Sequence, residues 1–154
     1  MMSQTAISEE LFCFLDGNSL KDKTREAMML LSVSEDGWPH AAMVSVGEVV
    51  ALNHEELRIA LWPKTHTVAN LKRTQQATLV AVHKGKVHYV RLAIKPLPAL
   101  KDAKHNRERF QAKVVSVKED TSKYAEITSG IRFALYDPES VVRRWTETVS
   151  ELKK

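Results

Sequence analysis

A chain of 154 residues that is 44% hydrophobic and 27% charged can build one hydrophobic core, and none of its apolar runs approaches the length of a membrane-spanning helix. The single Cys13 excludes an internal disulfide, and the net charge of +4 arises from Lys and Glu interleaved along the chain, which fits a solvated mixed-charge surface better than a nucleic-acid stripe. No basic segment leads into an apolar stretch near the start, so one soluble, cytoplasmic domain over residues 1–154 is expected, with no secretory signal.

A first helix is predicted over about residues 8–16. Ser8 can cap it, Glu9 and Glu10 suit its positive end, and Leu11, Phe12, Phe14 and Leu15 give an apolar side before Gly17. Cys13 falls inside this helix and reads as a small buried hydrophobe. Residues 18–26 are polar and read as a loop or a second short helical turn. Met28 to Ser34 is a strand, and Asp36-Gly37 marks a hairpin because such turns need positive φ. Pro39 borders the next strand, Ala41 to Val46, and Gly47-Glu48 interrupt before Val49 to Ala51. After a turn at residues 53–56, Leu57, Ile59 and Leu61 alternate with Arg58 and Ala60.

Thr65 opens a short helix running to about Arg73, with Val68 and Leu71 on its apolar face and Lys72-Arg73 at its negative end. Strands follow at 77–82 and around Val90, Leu92 and Ile94, separated by a Lys84-Gly85-Lys86 turn and ended by Pro96 and Pro98. Residues 100–109 read as helix or loop, and Val114, Val115 and Val117 as strand. Residues 120–129 are expected to hold a short helix ended by Gly130, and 131–135 a last strand. Asp137-Pro138 starts a final helix over about 138–152, striped by Val141, Trp145, Val149 and Leu152. About seven short strands with tight turns imply a mainly β fold, an antiparallel barrel with peripheral helices.

The strand-to-helix junction Trp62-Pro63-Lys64-Thr65-His66-Thr67 is the strongest candidate for chemistry. A helix N-terminus favours anions, and Lys64, Thr65, His66, Thr67 and Asn70 add donors; the alternative is that Thr65 only caps the helix. None of the six histidines has zinc-motif spacing, so no metal site is assigned, and His83 and His88 read as a surface pair at the barrel rim. No nucleophile elbow, dinucleotide fingerprint or carboxylate pair is found, so no catalytic side chain is named; an enzyme of this kind relies on a bound cofactor.

Two stretches carry a family resemblance. Leu31-Ser32-Val33-Ser34-Glu35-Asp36-Gly37-Trp38-Pro39-His40 resembles the opening hairpin of the pyridoxamine 5′-phosphate oxidase-like, FMN-binding split-barrel proteins. Lys64 to Leu71 occupies the place of their Ser/Thr-Arg-Lys…Asn-Leu phosphate-binding helix start. The resemblance implies a split β-barrel of antiparallel strands and a homodimer with FMN at its interface. It places the flavin along Ala42, Met43, Val44 and Ser45, beside Ala60, Leu61 and Trp62. The phosphate end falls to Lys64, Thr65, His66, Thr67 and Asn70, and Tyr89 or His88 comes from the partner subunit. The implied function is a flavin-dependent oxidoreductase acting on a small redox substrate. Ala42 stands where the oxidases carry Arg, and His66-Thr67 where they carry Arg-Lys, which leaves Lys64 as the permanent charge and weakens the phosphate contact. The competing readings are a non-catalytic flavin or haem module, and a basic nucleic-acid-binding barrel. The last needs clustered stacking aromatics, and Trp38, Tyr89 and Phe110 do not cluster.

Overall fold

The computed structural model describes residues 4–154. Seven strands form one antiparallel sheet: β1 (Met28–Val33), β2 (Pro39–Val44), β3 (Val49–Ala51), β4 (Glu56–Leu61), β5 (Gln76–His83), β6 (Lys86–Pro96) and β7 (Glu108–Asp120). Their order across the sheet is β2-β1-β5-β6-β7-β4-β3. Helices α1 (Glu9–Leu15), α2 (His66–Thr74) and α3 (Pro138–Leu152) pack around it, with a 3-10 turn at Leu20–Lys23.

The order forces curvature. β2 and β3 lie at opposite edges, yet residues 45–48 alone join them. A flat sheet would separate these edges by about 29 Å at roughly 4.8 Å per strand step, whereas Val44 to Val49 spans at most about 18 Å of extended chain. The sheet therefore curls into a half-barrel, the split-barrel architecture expected from the sequence.

Alternation sorts the faces. Leu30, Leu57, Ile59, Leu79, Val90, Leu92 and Phe110 are buried on the concave side. α2 closes that side with Val68 and Leu71, both buried. The β1–β2 hairpin turns at Asp36-Gly37 as expected, with Ser34 N donating to Trp38 O at 2.8 Å and Gly37 at φ +85°. Pro39 lies within β2 and is tolerated because that strand is an edge. α3 docks by placing Trp145 against Gly47, where an added Cβ would lie 2.0 Å from the indole Cγ. Among the described residues no helix is long and apolar enough to cross a membrane.

Three expectations change, and the open reading of residues 100–109 resolves to loop over most of its length. Residues 131–135 are not a strand: they touch the chain before β1 through a single Glu26–Arg132 bridge, because both edges of β1 are already taken by β2 and β5. Residues 120–129 hold no helix, since β7 runs to Asp120 and little apolar surface follows. The 100–109 segment is loop up to Arg107, and β7 begins at Glu108 with Phe110, Ala112 and Val114 turned inward. Cys13 is exposed, its thiol 3.5 Å from Glu9 Oε1, because Leu11, Phe14 and Leu15 take the buried side of α1.

Candidate functional site

β4 ends at Leu61 and the chain turns through Trp62, Pro63 and Lys64, the last at φ +62°. Thr65 then caps α2: its hydroxyl oxygen accepts from Val68 N at 3.2 Å while the hydroxyl donates to Trp62 O at 3.3 Å. The first N–H groups of the helix, those of His66 and Thr67, have no acceptor within the helix and face the end that favours anions. Lys64 and His66 are exposed there. The His66 ring meets that of His40 on β2 edge to face, with centroids 5.9 Å apart, so α2 and β2 share this corner.

Thr67 and Asn70 turn inward. Asn70 Nδ2 donates to Ser32 Oγ at 3.0 Å, and its Oδ1 accepts from Arg73 Nη1 at 3.3 Å. Arg73 also donates to the Val33 carbonyl, so it ties the helix to the end of β1. The Asn70 side chain thus joins α2 to the sheet, away from the exposed N-terminal donors.

The expected flavin strand divides between faces. Ala42 is half-buried and shares a face with His40 and its pairing partner Leu30, while Met43 points outward and is 51% exposed. Val44 is core. Ser45 is buried, and its N–H and hydroxyl donate to Glu48 Oε1 at 3.1 and 2.8 Å. Burial pushes the Glu48 carboxyl up from its ordinary range, against the opposing pull of the Ser45 bonds and of Arg107 and Arg144. On β4, Leu61 is core, whereas Trp62 is exposed and carries the Arg107 guanidinium 3.3 Å above its ring. Ala60 borders a separate cavity beneath α3.

Tyr89 lies on the convex face of β6. It belongs to a single cross-strand row, Met43–Met29–Val80–Tyr89–Lys118, with the Lys118 ammonium 5.8 Å from its ring. Three strand steps put Tyr89 about 14 Å from Met43. The fold therefore brings Lys64, His66, His40 and Ala42 to one corner and leaves Tyr89 apart within one chain. His88 is not the expected surface residue: the β6 alternation buries it completely, with Nε2 3.4 Å from His83 O and Nδ1 3.8 Å from Glu119 Oε1. It cannot reach a partner subunit from there. His83 is half-buried and stacks on Phe14 at 4.6 Å.

The sequence reading missed His40, Arg73 and Arg107. His40 and Arg73 could have been found from the hairpin register and the helix end; Arg107 comes from a loop whose partner, Trp62, no local pattern indicates. Among the described residues no group of three or more His, Cys, Asp or Glu side chains is arranged to hold a metal.

No protein-family model matches the chain. Over 154 residues it is 51% identical to the uncharacterized protein YclD of Bacillus subtilis (strain 168), covering 100% of both chains. A solved Lactobacillus delbrueckii protein, assigned as a pyridoxamine 5′-phosphate oxidase, superposes with a TM-score of 0.60 at 18% identity, over 76% of this chain and 99% of that one. HutZ, the haem storage protein from Vibrio cholerae, superposes with a TM-score of 0.50 at 10% identity, over 66% of this chain and 89% of that one. At such identities the two structures speak for the fold, while the full-length match speaks for kinship. The chain belongs to the family of Bacillus subtilis YclD, on the pyridoxamine 5′-phosphate oxidase-like, FMN-binding split-barrel fold.

Proposed function

We propose that this protein binds FMN at the corner between α2 and β2 and serves as a flavin-dependent oxidoreductase of the cytoplasm. The observation that carries the reading is the convergence of the α2 N-terminus, Lys64 and the His40–His66 pair beside an edge strand of this fold. The residues fit such a cofactor. A phosphate would meet the His66 and Thr67 N–H groups and the Lys64 ammonium. The small side chain of Ala42 leaves space along β2, whose outer edge has unpaired backbone groups able to meet the polar rim of a flavin ring. The bound group would supply the electron or hydride transfer, and the chain supplies position, charge and exclusion of water. Lys64 is the permanent cation next to the first turn of α2, whereas Arg73 lies in its last turn, on Asn70 Oδ1 and the Val33 carbonyl. Affinity is therefore expected to be modest.

The reading includes a homodimer. On the convex face the cross-strand row Met43, Met29, Val80 and Tyr89 is exposed or half-buried, the kind of contiguous apolar surface that suits an interface. Since Tyr89 lies about 14 Å from Met43 in its own chain, a second copy is the route by which it joins a site beside that residue. Titration of the purified protein with FMN, followed by quenching of flavin fluorescence, tests the proposal. Saturable binding that weakens in Lys64→Ala is expected, and no binding at high micromolar FMN would refute it. The likeness to HutZ makes haem the competing occupant, and a Soret band in the freshly purified protein would favour it.

A further inference from the structure

The loop over residues 97–107, Ala60 of β4, the start of β7 and the last turns of α3 surround a cavity of about 80 Å³. One wall is apolar, formed by Ala60, Ala99, Leu100 and Ala103. The other presents Arg107, Arg109 and Thr148. Arg109 and Thr148 are only 8% and 4% exposed. Among the described residues, Arg107 Nη1, Arg109 Nε and Thr148 Oγ1 are buried and have no hydrogen-bond partner in the protein. Leaving one such group unpaired is destabilising, so three on side chains that line one small cavity call for an acceptor.

Two guanidinium groups and one carboxylate, Glu151, line the cavity, so its charge balance favours an acceptor. Arg109 is held by two carbonyls, Nη1 donating to Pro98 O at 2.8 Å and Nη2 to Glu151 O at 3.3 Å, which leaves the Nε edge free. Glu151 also borders the cavity, but its Oε1 accepts from Lys104 N at 2.9 Å. Glu147 is engaged by His105 Nε2 at 3.2 Å. Guanidinium groups donate and never accept. The site thus offers two positive donors and a hydroxyl opposite a short apolar wall, with the Glu151 carboxylate offsetting part of the positive charge.

We propose that this cavity binds a small organic carboxylate, its oxygens on Arg107, Arg109 and Thr148 and its short apolar body against Ala99, Leu100 and Ala103. The site lies on the α3 side of β4, and the proposal does not rest on the flavin reading. Arg107 also stacks on Trp62, so the ligand reports to the surface through that indole.

Sodium butyrate is the probe, with 1-butanol, sodium chloride and inorganic phosphate as comparators, and the readout is the ¹H–¹⁵N spectrum of the intact protein. Butyrate is expected to shift the Ala103, Arg109 and Thr148 amides and the Trp62 indole signal saturably, while butanol and chloride do not. Thr148→Val removes a hydroxyl that has no protein partner, so it should leave the thermal midpoint unchanged and weaken butyrate by about tenfold, the scale of a hydrogen bond to a charged group. Ala103→Leu should fill the cavity and abolish the shifts. No saturable shift with butyrate, equal shifts with chloride, or unchanged affinity in Thr148→Val would overturn the site. Displacement of butyrate by phosphate would overturn its apolar half.

Discussion

Asn70 and Ser32 meet inside the protein, amide nitrogen to hydroxyl oxygen at 3.0 Å, and both side chains are buried. A residue that the family resemblance assigns to phosphate is here the bolt between α2 and β1. Asn70→Ala should lower stability by roughly 1–3 kcal/mol, because Ser32 and Arg73 both lose a partner. In a double-mutant cycle with Ser32→Ala the two losses should not add, and chemical denaturation of the four proteins measures this. Additive losses would separate the pair.

Lys64 and Thr65 separate cofactor binding from folding. Lys64 stands at φ +62°, where glycine is more comfortable, so Lys64→Gly should raise stability by up to about 1 kcal/mol while weakening FMN. Thr65→Ala should cost about 1 kcal/mol through loss of the cap and also weaken FMN, whereas Thr65→Ser should retain both. Thermal melts with parallel FMN titrations give the comparison.

The convex row predicts assembly. Val80 sits at its centre, between Met29 and Tyr89. Val80→Glu places a charge in the proposed dimer face and should shift the protein to monomer, raising the dimer dissociation constant more than tenfold in sedimentation equilibrium. A wild-type protein that is already monomeric would remove this part of the function.

His83 predicts a pH dependence. Burial lowers its pKa first, the neighbouring His88 and Lys84 next, Lys23 adds to them, and Glu10 opposes. With the folded value below the unfolded value of 6.5, its contribution is complete above that value. It is lost as pH falls toward the lowered folded value, because the unfolded chain takes up the proton first. His83→Phe, which keeps the stack on Phe14, should flatten this part of the stability–pH curve. Denaturant midpoints across the acid range read the difference.

Much of the fold was legible because its signals are local. The Asp36-Gly37 hairpin, the Thr65 cap and the Asp137-Pro138 start each depend on a few adjacent residues, and α3 covers Pro138–Leu152 as read. The errors occur where neighbours in space decide. Residues 131–135 alternate like a strand but find no open edge, and His88 looks like a rim residue until the β6 register buries it. At the proposed site, the helix start was visible in the sequence and the Asn70–Ser32 tie was not, since 38 residues separate the partners. The carboxylate cavity was wholly invisible, because its donors come from a loop, β7 and α3.

β3 has only three residues and a single strand partner, yet all three are buried. What covers it comes from α1 and α3, which meet beside it where Gly17 lies close to both Val50 and Val149. The shortest strand is thus a clasp fastened by α1 and α3. It cannot be secure on a ribosome-bound chain until α3 has emerged, so the closing seam of the half-barrel should be the last part to gain protection from hydrogen exchange during folding, and the first to lose it when α3 is loosened.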